Sequence, residues 1–195
     1  MTDNFKALPG SISIIKRAME IAVAGNHSIT ILDCNGLNDL YYKAFADIDG
    51  DSALLQVIKP CPCGHLTDPQ VECICTPISI MEYRNKKEFK ADMVVASKRI
   101  CIQDFSTRLN ESAKEVTARI REYKQREYKI EPDAKKLLNK AYEKLNIDVM
   151  DYIQITKVAS TIAGLDNSAS VKVEHIAEAI QYKNNADIIS KVKAV

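Results

Sequence analysis

The hydrophobic residues of this chain follow two rhythms, one helical and one strand-like. Over residues 11–24, Ile14, Ile15, Ala18, Met19, Ala22 and Val23 recur on one helical stripe, with Lys16, Arg17 and Glu20 mostly off it. Ser11 or Ser13 is the expected cap, and Gly25 with Asn26 the expected stop. Residues 28–32 are β-branched and apolar and predict a buried strand. Residues 37–46 predict a second helix, 47–51 a turn, and 53–58 another short strand. Pro77 opens a short helix over 77–86, and 91–105 is β-rich enough for one or two strands.

After Phe105 the composition shifts. Residues 110–128 predict a long charged helix with a thin apolar stripe of Val116, Ile120 and Tyr123. In 133–147, Leu137, Leu138, Ala141, Tyr142 and Leu145 make one face. Residues 149–164 are apolar enough for a central helix. A last helix over 171–183 follows Ser170, which with Glu174 resembles a capping box. Leu145, Ile155, Val158 and Ile162 are expected to share a core with Ile176, Ala179 and Ile180. The pattern predicts a reduced α/β part over 1–105, followed by an all-α helical bundle over 106–195.

Composition narrows the function classes. The 195 residues are 46% hydrophobic and 27% charged, as in ordinary globular domains, and the net charge of +1 gives no global attraction to nucleic acid or membrane. No signal-peptide pattern and no membrane-length apolar run is visible, so the expected location is cytoplasmic. Six cysteines in a reducing compartment read as thiols or metal ligands rather than disulfides.

Four of them carry the sharpest local signal. Cys61 and Cys63 form one pair, Cys73 and Cys75 another, and the turn residues between suit a hairpin that joins the pairs. Four thiolates close a tetrahedral zinc site of the structural kind, with His65 as a spare ligand. Four free thiols are the other reading, because the one-residue spacing inside each pair is tighter than usual. Cys34 and Cys101 stand alone and read as core residues. The acids Asp47, Asp49 and Asp51 match an EF-hand only at its front: Ile58 stands where the twelfth-position Glu belongs. Lys114, Arg119, Arg121, Lys124, Arg126 and Lys129 interleave with Glu111, Glu115, Glu122 and Glu127, which favours a solvated helix over a nucleic-acid face. His27 and His175 have no nucleophile at triad-like separation.

The strand, Gly36 turn and helix of 28–46 have the frame of a phosphate-binding loop. Three blocks give that frame a context. Residues 16–32 (KRAMEIAVAGNHSITIL) resemble the segment leading into the P-loop of magnesium-chelatase-related AAA+ ATPases of the ComM/YifB type. Residues 60–83 (PCPCGHLTDPQVECICTPISIMEY) resemble the cysteine segment of that subfamily, and residues 157–182 its C-terminal helical lid. The resemblance implies a P-loop AAA+-like fold with a lid-like bundle, but a shortened one, with no counterpart of the Walker B strand.

It also places the nucleotide motifs, and they are degenerate. The P-loop glycines fall on Asp33 and Asn38, its Lys on Asp39 and its Ser/Thr on Leu40; only the internal Gly36 remains. The family's Asn-Pro sensor falls on Lys59-Pro60, its Asp-Arg on Asp92-Met93, and its lid arginines on Met150, Gln154 and Ser160. Asp33 and Asp39 would face, and repel, a triphosphate. ATP and magnesium are therefore not expected, and neither is ATP hydrolysis. The implied role is a protein-interaction, regulatory or structural module, whose partner is a full-length AAA+ homologue, a second copy or another protein. A DNA-associated accessory and an ATPase completed by a partner subunit are the alternatives.

Overall fold

The computed structural model describes residues 3–87, 91–101, 103–104, 111–124, 127–145 and 147–188. β1 (Ile29–Leu32) is the centre of a three-stranded parallel sheet, with β2 (Leu55–Ile58) on one side and β3 (Met93–Ala96) on the other. Ile29 lies level with Leu55 and Met93, and Ile31 with Val57 and Val95. Because side chains alternate across a strand, these six share one face, and all six belong to the main core. Leu32, Ile58 and Val94 form a small second cluster on the other face. Burial on both faces explains why these strands read as unbroken apolar runs.

The helices are α1 (Asn4–Ala7), α2 (Ser13–Gly25), α3 (Asn38–Asp47), α4 (Pro77–Lys87), α5 (Ala113–Glu122), α6 (Pro132–Lys144), α7 (Val149–Leu165) and α8 (Val173–Ile188). α2 packs on β1, β3, α5 and α7, while α8 packs on β3, α6 and α7. One core therefore runs from Met19 of α2 and Phe45 of α3 to Ile162 of α7 and Ile176 of α8. The fold class is the expected one, a reduced parallel α/β part with a helical region. The 105/106 boundary falls outside the described residues.

Several local expectations are corrected. Ile14 is 38% exposed, and the buried stripe of α2 includes Glu20 and Ile21 instead. Glu20 is tolerated there because Arg17 and Arg119 hold its carboxylate at 3.1 and 2.7 Å. Neither Ser11 nor Ser13 caps α2: a 3-10 turn over Gly10–Ile12 leads in, and the N-cap is Ile12 with no side-chain bond. Asn26 does stop the helix, in the left-handed conformation at φ 53°.

The charged helix is shorter than its pattern. α5 ends at Glu122, and Tyr123 is extended. The Tyr123 ring lies so close to Gly164 of α7 that a Cβ there would overlap it, so burial of one aromatic ring ends the helix. Among its described residues the β-rich stretch forms one strand, β3, within the expected one or two. Leu145 and Tyr142 are 36% and 42% exposed, because the buried face of α6 narrows to Ala134, Leu138 and Ala141. Ser170 does not form a box with Glu174. Its hydroxyl donates to Glu131 at 2.6 Å, and His175 Nδ1 accepts the Lys172 N–H at 3.0 Å. Capping boxes stand instead at Ser112–Glu115 and Asp148–Asp151.

Ile155, Val158 and Ile162 do meet Ile176, Ala179 and Ile180 in the core. Ile162 is fully buried. Ile162→Ala is expected to lower unfolding stability by about 2–5 kcal/mol in a denaturant titration. A loss under about 0.5 kcal/mol would contradict its place in the core.

Candidate functional site

In open parallel sheets, ligands bind outside the carboxyl ends of the strands, where the strand order reverses. Here that point lies between β1 and β3. The chain leaves β1 through Asp33 and turns at Gly36, whose φ of 74° suits glycine. Asp33 is buried, and its carboxylate is the hub of the turn. Oδ1 accepts the Asn35 N–H at 3.0 Å and the Ser97 hydroxyl at 3.1 Å; Oδ2 accepts the Leu37 N–H at 2.8 Å. The Asn35 and Leu37 N–H groups are thus turned onto the protein's own anion.

The turn is also tied to the segment after β3. Asn35 Nδ2 donates to the Lys98 carbonyl at 2.8 Å, and Asn35 Oδ1 accepts the Ile100 N–H at 3.0 Å. The Cys34 N–H donates to Ser97 Oγ at 3.1 Å. Cys34 is half-buried at this seam rather than a core residue, and burial pushes its thiol up. Asp39 and Asn38 are exposed in the first turn of α3, where the helix dipole favours an acid. Leu40 packs partly on the core. Asp33 therefore does not point a second repelling charge outward beside Asp39; it fills the loop from within.

The four cysteines converge between β2 and α4. Cys61 Sγ lies 3.4 Å from Cys63 Sγ and 3.6 Å from Cys73 Sγ, and Cys63 and Cys73 are 3.6 Å apart. With Cys75, all four sulfurs lie within 4.8 Å of one another. A tetrahedron with metal–sulfur bonds of about 2.3 Å has edges of about 3.8 Å, so the cluster has the size of a four-thiolate metal site. Burial pushes the Cys63 thiol up, but hydrogen bonds from the His65 backbone and from Cys61 and Cys75 outweigh it and bring it to about 6. Burial and the neighbouring sulfurs push Cys73 up to about 12. A metal would displace protons from such a cluster.

His65 is not a fifth ligand. Its Nδ1 faces Asp68 at 3.5 Å, and Asp68 also takes Arg99 Nη1 at 2.6 Å and the Gln70 N–H at 2.9 Å. Cys101, half-buried, receives Gln70 Nε2 at 3.7 Å. The cysteine loop and the Asp33 turn thus grip the same stretch, residues 97–101. Asp68, Arg99, Asn35 and Ser97 escape a sequence reading because no motif joins them. Asp33 had one local signal: an Asp whose carboxylate reaches N–H groups just ahead of it in the chain.

The remaining candidates have structural partners. Asp47 accepts the Asn4 N–H at 2.6 Å, Asp49 pairs with Arg121 at 3.0 Å, and Asp51 caps the turn at Ser52–Leu54. Arg119 pairs with Glu20 and Glu111, so α5 spends its arginines on acids; Arg126 lies outside the described residues. His27 is buried against Thr161 Oγ1 at 2.8 Å. Met150 is 69% exposed, while Gln154 and Ser160 line a cleft with Tyr123 and Tyr128. No helix among the described residues is long and apolar enough to cross a membrane.

Comparison with known families gives two matches. Residues 89–183 match the family described as magnesium chelatase, subunit ChlI C-terminal, and residues 43–126 match magnesium chelatase, subunit ChlI. Together they run from 43 to 183 and support a magnesium-chelatase-related AAA+ family for this chain. Neither match reaches the turn at 33–40. No curated protein matches the chain.

Asp33→Ala would leave three donors without their acceptor. It is expected to cost at least about 2 kcal/mol, since bonds to a charged acceptor are worth about 1.5–3 kcal/mol each. Asp33→Asn, which keeps one acceptor oxygen, should fall between the two in a thermal melt. Equal melting of all three would show that the carboxylate does not organise the turn.

Proposed function

We propose that this chain is a non-catalytic relative of the ComM/YifB-type magnesium-chelatase-related AAA+ proteins, acting as a protein-interaction or regulatory module. The observation that carries the reading is the Asp33 carboxylate, which takes the Asn35 and Leu37 N–H groups and the Ser97 hydroxyl. A triphosphate would need those donors, a cation such as the P-loop lysine, and a hydroxyl for magnesium. Asp39 and Leu40 stand at the last two positions. Binding ATP there would mean displacing a buried, triply bonded carboxylate into a like-charged ligand.

What the fold retains is then a scaffold, with zinc in the cysteine cluster as its staple. Cys61, Cys63, Cys73 and Cys75 are the ligands, and four thiolates leave no open position for a catalytic water. Apolar packing contributes little to the order of the loop: Ile74 is 86% exposed. The partner is a protein, either a full-length AAA+ homologue or a second copy.

Two measurements test this reading. ATP with magnesium should leave the melting temperature unchanged; a ligand at 100 times its Kd would add about 2.7 kcal/mol of stability, and a shift of that size would refute the filled-loop reading. Elemental analysis of protein purified without chelators should find one zinc per chain, lost in Cys63→Ser and in Cys73→Ser. A zinc-free protein whose four thiols all titrate freely would remove the metal from the proposal.

A further inference from the structure

We propose that the cleft at the amino edge of the sheet receives an arginine side chain presented by a partner protein. The inference deepens the interaction-module reading above and rests on it for the partner. The cleft has a volume of about 740 Å³, in the range of ligand clefts. It lies at the opposite end of the sheet from the Asp33 turn. Gly25, Asn26 and His27, which lead toward β1, line it, and so does Asp92, the residue before β3. The rest of the lining comes from α7 and from Tyr123, Glu127 and Tyr128.

The α7 side of the cleft is rich in acceptors. Ser160 Oγ donates its proton to the Thr156 carbonyl at 2.9 Å, Thr156 Oγ1 to the Tyr152 carbonyl at 2.9 Å, and Thr161 Oγ1 to the Lys157 carbonyl at 3.3 Å. A hydroxyl has one proton, so these three oxygens have only lone pairs left to offer. Thr161 Oγ1 uses one of its own on His27, whose Nε2 lies at 2.8 Å. Nε2 then carries the imidazole proton, and Nδ1 of the neutral ring is an acceptor too. A Cβ at Gly25 would overlap the His27 ring and Thr161 Oγ1, so glycine lets α2 end this close to α7.

The charges agree with the acceptors. α2 ends at the cleft in the left-handed Asn26, with no basic side chain in its last turn, so none of its own cations answers the negative end of its dipole. Asp92 Oδ2 accepts the Ser28 N–H at 2.8 Å, which fixes that carboxylate and leaves Oδ1 for a second donor. Glu127 is exposed and supplies another carboxylate. Lys157, also exposed, is the one ammonium in the lining, and two carboxylates with a helix C-terminus outweigh it. A guanidinium matches such a lining: it is always charged, has five N–H donors and no acceptor, and its plane stacks on aromatic rings such as Tyr123 and Tyr128. Free arginine would bring a carboxylate to the same acids, so the fitting occupant is an arginine within a chain.

The test is titration of the 15N-labelled full-length chain with the capped tripeptide acetyl-Gly-Arg-Gly-amide, followed by NMR. Shifts are expected at Gly25, Asn26, His27 and Tyr128. The same peptide with citrulline, which keeps the shape and loses the charge, should bind roughly tenfold more weakly or worse, the scale of a bond to a charged acceptor. Free L-arginine should also bind more weakly than the peptide. Glu127→Gln should weaken peptide binding by roughly two- to fivefold, and Lys157→Gln should tighten it by a similar factor, as expected for exposed charges. Equal binding of the citrulline peptide, shifts confined to other residues, or no binding at millimolar peptide overturns the proposal. Free arginine that binds as tightly as the peptide overturns the protein-borne occupant. The titration involves neither nucleotide nor metal. ATP binding at the Asp33 turn would therefore refute the non-catalytic reading and leave the cleft standing, whereas a silent cleft refutes this inference alone.

Discussion

The sheet imposes one demand that shapes everything around it. β1 is central and both neighbours are parallel to it, so neither can be reached by a hairpin. The chain returns to β2 through α3, which is a short trip. It must then cross from β2, past β1, to β3 on the far edge. That second crossover contains the cysteine loop and α4 and little else. Its loop has few apolar residues, so packing alone gives it weak order. The four sulfurs sit within that connection: two follow β2 closely, and two precede α4. A metal that joined them would shorten the free path of the crossover and fix where α4 starts.

The helical region depends on a different device. α2 packs against β1 and β3 on one side and α5 and α7 on the other, so it joins the sheet to the bundle. Its face toward α5 and α8 is charged. Arg17 reaches Glu20, Asp166 at 2.7 Å and Glu178 at 3.4 Å, and Arg119 bridges Glu20 to Glu111. Glu20 is the buried member, and removing either arginine would leave its charge poorly answered. Of the acids and bases that alternate along and beyond α5, Arg119 and Glu111 belong to this network, while Arg121 pairs with Asp49 and Glu115 caps the helix. Mixed sign along a helix was a fair signal for that outcome, although only the fold reveals which acid each base meets.

What the sequence showed follows the physics of each element. β1 and β2 were legible because buried parallel strands are continuous apolar runs, and α7 because its apolar residues leave no other place for it. The length of α5 was not legible: the charged pattern runs on past Glu122, and only the contact of Tyr123 with Gly164 says where to stop. Ile14 failed for a related reason. Its periodicity is good, but the stripe turns toward α5, where Arg119 makes a buried Glu20 acceptable. The cysteine cluster was visible from pairing alone. Asp33 was counted as a missing glycine, and its positive role was not visible, because it depends on Ser97 arriving from β3.

That last arrival joins the two candidate sites. Residues 97–101, the exit from β3, are held from both sides. Asp33 and Asn35 bind Ser97, the Lys98 carbonyl and the Ile100 N–H from the β1 turn. Asp68 and Gln70 bind Arg99 and Cys101 from the cysteine loop. The crevice at the carboxyl edge of the sheet, where an α/β protein ordinarily admits a ligand, is thus closed by the protein's own side chains. A carboxylate stands in for phosphate on one side, and a loop of metal-ligand type stands over the other. The strand–turn–helix frame is thus filled from within by Asp33 and tied through residues 97–101 to the cysteine loop, so the two sites share one structural support.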